Sequence, residues 1–160
     1  MTTESTRIVS HPKLYVLAAF IAVAGLADSI YLMVKHLTGE DVTCVASSGC
    51  SEVLSSAYST VRGIPLGAFG AFGYFVAFSL ATFSAFGYAG AVIFLRLQVC
   101  CMLAVTLWLL YVQAFILNAF CDFCLLSAGL TISLSVIVTI EYFMERKHRV
   151  PANQEVAREL

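Results

Sequence analysis

Charge is what this chain is short of. Only 12% of its residues are Asp, Glu, Lys or Arg, about half the share of a soluble domain, while 60% are hydrophobic. Such a chain cannot cover its surface with water-seeking groups, and a mean hydropathy of +0.89 marks a membrane protein. The net charge is −1 and no basic tract is present, which sets nucleic acid aside as a partner. Proline is scarce as well. Pro12 and Pro65 precede apolar runs and Pro151 stands in a polar tail, so no proline breaks a long apolar run from within. Nor is there a polar stretch long enough for a separate soluble domain. The 160 residues hold about four spans of ~20 residues with short connections.

The expected fold is therefore all-α. Four transmembrane helices form a bundle, and a short amphipathic surface helix sits in the first outward loop. The spans are expected at about 14–34, 65–86, 91–117 and 121–143. Residues 1–13 and 144–160 form polar ends, and 14–143 form the membrane domain with its outward loop at 37–63. A cleaved signal peptide competes for the first span, since Arg7 and Lys13 precede it and Ala22-Val23-Ala24 resembles a cleavage site. The apolar run resumes through Ile30–Val34, which is too long for that reading. Four spans put Arg7, Lys13, Arg96, Arg146, Lys147, Arg149 and Arg158 on one side, with only Lys35 and Arg62 opposite. The positive-inside rule then places both termini in the cytoplasm and the loops after the first and third spans outside.

Those two loops carry four of the cysteines. Cys121-Asp122-Phe123-Cys124 is a C-x-x-C motif where an apolar helix begins. On a first turn the two sulfurs lie close enough to bridge, and the unpaired N–H groups and dipole there favour a thiolate. Cys44 and Cys50 flank the flexible Val45-Ala46-Ser47-Ser48-Gly49. Alone, C-x-x-C fits a static disulfide or half a zinc site equally well. Cys100 and Cys101 lie inside the third span, and adjacent helical residues point apart. They are expected to be small buried apolar residues.

In the loop, Ser47 or Ser48 is expected to cap a helix starting near Gly49, with Val53, Leu54, Ala57, Tyr58 and Val61 on one face. Gly67, Gly70, Gly73 and Ala77 make a small-residue stripe suited to close helix packing. Phe69, Phe72, Tyr74, Phe75 and Phe78 are expected to face lipid or core. Asp28 is a carboxylate within the first span, at a cost of about 2.5–3.5 kcal/mol mid-membrane, so it must face the interior or a wet cavity. It fits a proton relay, a polar pocket wall, or a carboxyl bonded to Ser29. Gln113 and Asn118 are polar at the outer end of the third span. Pro151 is expected to discourage a continuous helix in the tail.

A mobile cysteine pair in water can meet a soluble protein, and a pair at the membrane edge can meet a lipid-soluble oxidant. Thiolate attack through a mixed disulfide links the two pairs. That arrangement suits a relay from protein thiols to a membrane quinone in an apolar, aromatic-lined pocket. The rival is a non-enzymatic scaffold with static disulfides or a zinc site of four thiolates.

The chain resembles the vitamin K epoxide reductase family. The matching stretches are Cys44-(five residues)-Cys50, Ser55-Ser56, Gly63-Ile64-Pro65-Leu66-Gly67-Ala68-Phe69-Gly70 and Cys121-Asp122-Phe123-Cys124. The order and spacing of all four cysteines match, over about residues 14–143, and the closest likeness is to bacterial members of this size. A four-span oxidase of the DsbB type carries its pairs in the reverse order. The resemblance implies an oxidoreductase of the inner membrane, with a quinone (ubiquinone, menaquinone or a vitamin K-like compound) as acceptor and no metal. It implies a lid-like loop helix. Cys44 would exchange with a protein partner, Cys50 would shuttle to Cys121, and Cys124 would stand next to the quinone. Ser56 matches the family's serine near the active cysteines. Many relatives carry a fused thioredoxin-like domain. Its lack here implies a separate thioredoxin-like, DsbA-like partner. Animal members place an asparagine and a tyrosine where this chain has Leu66 and Ala128, so epoxide reduction is less expected. Asp28, Gln113 and Asn118 are the substitute polar contacts, with Phe69, Leu66 and Ala128 completing the expected quinone-binding set.

Overall fold

The computed structural model describes residues 12–40 and 49–159, with side chains as far as residue 146. Four helices in it are long and apolar enough to cross a membrane. They are α1 (Pro12–Thr38), α3 (Leu66–Ala85), α4 (Ala89–Tyr111) and α5 (Asp122–Glu159), with a six-residue helix α2 (Cys50–Ser55) in the first loop. The chain is thus a multi-pass membrane protein built as an all-α, four-span bundle. The helices pack in a ring, α1 on α3, α3 on α4, α4 on α5 and α5 back on α1, with α1 and α3 in the most extensive contact.

The glycine stripe explains that contact. A Cβ at Gly67 would lie 2.9 Å from the Met33 N and 3.0 Å from the Ser29 O, so only glycine lets α3 approach the α1 backbone this closely. Gly73 turns instead toward Gln98 and Met102 of α4. Phe69, Phe72 and Phe75 point outward, while Tyr74 is buried. The core away from the loop is aliphatic, with Ala18 and Ala22 of α1, Ala77 and Ala81 of α3, Leu95 and Val99 of α4, and Leu134 of α5.

That same end holds a charged cluster. Arg96 of α4 pairs with the buried Glu145 of α5 at 2.7 Å, and its guanidinium lies 5.0 Å from the Tyr142 ring centroid. Glu141 is buried one turn away from Glu145. Removing the cation of a buried pair leaves carboxylates in an apolar setting, which costs several kcal/mol. Arg96→Met should therefore lower unfolding stability in detergent by about 3 kcal/mol, and Arg96→Lys by less. An unchanged melting midpoint in Arg96→Met would contradict this account of the α4–α5 contact.

Three expectations need correction. Cys100 and Cys101 are exposed on α4, not buried. The buried face of α4 runs through Val92, Leu95 and Val99, and both cysteines fall off it. In lipid an apolar side chain has no need of burial. The loop helix is shorter than the apolar pattern suggested. It stops at Ser55, a 3-10 turn covers Ala57–Ser59, and a two-residue hairpin pairs β1 (Thr60–Val61) with β2 (Ile64–Pro65). Serine hydroxyls end it. Ser55 Oγ donates to the Glu52 O at 3.2 Å, Ser56 Oγ to the Val53 O at 2.7 Å and Ser59 Oγ to the Ser56 O at 2.8 Å. The hairpin turns on Arg62 and Gly63, both at positive φ, the backbone of a type I′ turn. Finally, α5 continues through Pro151 to Glu159. Strong helix formers flank the proline on both sides, Met144-Glu145-Arg146-Lys147 before it and Gln154-Glu155 with Ala157-Arg158 after it.

Candidate redox site

Glycine decides how the loop meets the bundle. Gly49 is the N-cap of α2 and makes no side-chain cap bond. Its carbonyl accepts the Val53 N–H at 2.9 Å. The capping serines expected here, Ser47 and Ser48, lie outside the described residues, as does Cys44. A Cβ at Gly49 would stand 2.8 Å from the Phe120 O and 2.9 Å from the Phe120 N. Those are backbone atoms, which do not move aside cheaply. The loop backbone is therefore seated directly on the segment that precedes the C-x-x-C motif.

This seating puts Cys50 and Cys121 in one buried cluster, 1% and 0% exposed, with Val53, Leu54, Phe123 and Cys124 packed around them. Cys50 is disulfide-bonded. Cys121 and Cys124 are free thiols.

The approach to Cys121 is an irregular turn. α4 widens into a π-helix over Val112–Leu117, and Asn118 ends it in the left-handed conformation at φ 52°. The Ala119 N–H reaches back to the Gln113 O at 3.2 Å, and the Cys121 N–H donates to the Gln113 Oε1 at 3.4 Å. Gln113, expected as a ligand contact or a backbone partner, thus holds the backbone of Cys121. Cys121 precedes the first turn of α5, and its carbonyl accepts the Leu125 N–H at 2.9 Å.

The Cys121 thiol is pulled down to about 7, first by a hydrogen bond from the Cys124 thiol and then by the Cys124 and Phe123 backbone N–H groups, against the opposing effect of burial. Thiolate is the reactive form, so a lowered value means reactivity present at neutral pH and lost as pH falls below it. In the reduced protein, alkylation of Cys121 should rise through pH about 7. Cys124→Ala should move that inflection upward. A wild-type inflection near the ordinary ~8.5 of a free thiol would contradict the assignment.

Beside Cys124 lies a cavity of about 150 Å³ lined by α1, the loop, α3, α4 and α5. Cys124 lines it and Cys121 does not. Leu66, Gln113, Ala128 and Ser56 also line it, whereas Asp28, Phe69 and Asn118 do not. An aromatic lining was expected. Leucine is the commonest wall residue instead, with Tyr58 the aromatic side chain, because Phe69, Phe72 and Phe75 of α3 face outward. A cavity of this size takes a single ring. A thiol at one wall, apolar sides and a few polar groups fit a quinone head group.

A polar knot underlies the cavity. The Tyr74 hydroxyl donates to the Ser127 O at 2.8 Å and shares hydrogen bonds with Ser127 Oγ at 3.0 Å and Thr131 Oγ1 at 2.8 Å. Gly25 of α1 lies against the Tyr74 ring, where any Cβ would overlap it. Asp28, one turn from Gly25, is 8% exposed. The sequence reading missed Gly49, Tyr74, Ser29 and His36 as site residues. For the last two a signal existed: Ser29, Leu32 and His36 recur at i, i+3 and i+7, one face of α1, and all three line the cavity.

Four apolar spans, a free dithiol at their edge and a disulfide-bonded cysteine packed on it define a membrane oxidoreductase of the thiol–disulfide class. The family model described as Vitamin K epoxide reductase family matches residues 16–139, well over half of the chain. The chain belongs to that family, whose chemistry is generally linked to quinones. A comparison with curated proteins gives no match. Among the described residues, no group of three or more His, Cys, Asp or Glu side chains is placed to hold a metal ion.

Proposed function

We propose that this protein is a thiol oxidase that passes electrons from a reduced thioredoxin-like, DsbA-like protein to a membrane quinone, and so supports disulfide formation outside the cytoplasm. One observation carries the reading. Cys50 shares a buried cluster with Cys121, while of the described cysteines only Cys124 lines the cavity. The two pairs thus meet at one sulfur and deliver at another.

The residues act in sequence. The partner's dithiol reduces the Cys44–Cys50 disulfide and leaves as a disulfide. The Cys50 thiolate attacks Cys121 of the oxidised Cys121–Cys124 pair and expels Cys124 as a thiolate. Cys44 then attacks Cys50, which restores the loop disulfide and releases Cys121, whose lowered pKa makes it a good leaving group. The membrane-edge dithiol now holds the electron pair. A bound quinone supplies a sink for two electrons and two protons. Loss of both from Cys121 and Cys124 re-forms their disulfide. Leu66, Ala128 and Gln113 form walls for the ring, and Ser56 joins the wall while its hydroxyl holds the end of α2. Leu66 and Ala128 present only carbon to the cavity, so epoxide reduction is not part of the proposal. The excess of Lys and Arg at the opposite end supports a reading with both termini in the cytoplasm of an inner-membrane protein and the cysteines on the oxidising side.

The test is quinone absorbance in detergent, with purified protein, excess short-chain ubiquinone or menaquinone and a reduced DsbA-like protein. The proposal requires catalytic loss of the quinone band. If every quinone is left untouched and thiol counts stay fixed under reductant, the disulfides are static and the proposal fails.

A further inference from the structure

The cavity needs a polar wall that its two carbon-only positions cannot supply. Several polar side chains there are already engaged. Ser56 and Ser59 bond backbone carbonyls, Ser127 bonds Tyr74, and the Gln113 Oε1 accepts from Cys121. His36 is different. It stands on the cavity-lining face of α1, two turns beyond Ser29, and its ring nitrogens have no hydrogen-bond partner among the described residues. Of the groups lining the cavity, only His36, Tyr58 and Cys124 carry ionisable side chains. The walls from α3 and α4 bring glycine, leucine and Thr106 but no charge. Nearby on its own helix, Lys35 is paired with Glu40 at 2.6 Å, and Asp28 does not line the cavity.

We infer that His36 hydrogen-bonds a carbonyl oxygen of the acceptor ring and hands it a proton. This rests on the quinone reading above. An imidazole suits the task because it donates a hydrogen bond and exchanges protons near neutral pH. The balance is simple. Cys121 and Cys124 lose two electrons and two protons and form one S–S bond. Two electrons and two protons reach the ring, one of the protons by way of His36. His36 recovers its proton from water at the loop end, which receives the proton shed when Cys121 ionises.

Binding is measured without turnover, on protein with its Cys121–Cys124 pair oxidised, by equilibrium dialysis against ubiquinone-1. His36→Phe should weaken binding by about 10-fold, the effect of one lost hydrogen bond. His36→Gln keeps a donor and should bind within ~3-fold of wild type, yet alter the pH profile of the quinone-reduction rate, leaving the inflection of Cys121 alone. Carbon-13 NMR of labelled histidine should show the His36 titration move when ubiquinone-1 is added. If His36→Phe binds as wild type does and the titration does not move, the inference is overturned. If His36→Phe does not fold, His36→Gln with an unaltered pH profile overturns it. Failure of wild-type protein to bind any quinone overturns the quinone reading itself, which separates the two failures.

Discussion

Cys124→Ala is expected to abolish quinone reduction to the limit of detection while leaving the loop pair able to accept electrons from a protein dithiol. The reason is geometric. Cys124 is the only described cysteine that lines the cavity, and Cys121 lies buried behind it against Cys50. Without Cys124 no sulfur lines the cavity and the membrane-edge disulfide cannot re-form, so the two-electron step at the quinone has no product. A stopped-flow assay that follows the loss of quinone absorbance reads this directly. Cys101→Ala is the matched control. It removes an exposed thiol on α4 and should run at the wild-type rate. Turnover in Cys124→Ala would remove Cys124 from its role.

Gly49→Ala should be nearly as damaging, though it touches no reacting atom. The added Cβ would meet the Phe120 backbone at 2.8 and 2.9 Å, inside any tolerated contact. The loop must lift, and Cys50 lifts with it. Displacement of a reacting group by about 1 Å costs on the order of 100-fold in rate. The slowed step should be transfer from Cys50 to Cys121. Oxidation of the pre-reduced Cys121–Cys124 pair by quinone should stay within about 5-fold of wild type, because a wall shift alone is worth about 1 kcal/mol or less. Equal slowing of both half-reactions would show that Gly49 serves general stability instead.

The spans were legible because few charges and no internal proline interrupt the apolar runs, and no soluble fold tolerates runs of that length. The cysteine order was legible because it needs only spacing. Facing was not. α4 is apolar all round, so nothing in its pattern said that Val92, Leu95 and Val99 would turn inward and Cys100 outward. The α3 aromatics fall at almost every step, which hid the one that matters. Tyr74 turns inward because Gly25 of another helix makes room for its ring. The π-helix before Asn118 and the early stop of α2 depend on individual side-chain to backbone bonds, from Gln113, Ser55 and Ser56, that periodicity does not encode. The Arg96–Glu145 pair joins residues far apart in sequence, each of which reads by itself as an ordinary end-of-span charge.

In the proposed relay the loop hands electrons to the membrane pair through Cys50 and Cys121. Trapping the intermediate tests it most directly. In a Cys44→Ala, Cys124→Ala double variant, neither resolving thiol is present. Mild oxidation followed by proteolysis and mass spectrometry should then yield a Cys50–Cys121 linked peptide as the dominant product. The same oxidation of a Cys44→Ala, Cys121→Ala protein should yield little Cys50–Cys124 link. Dominant linkage of Cys50 to Cys124, or no link to either, would contradict the route.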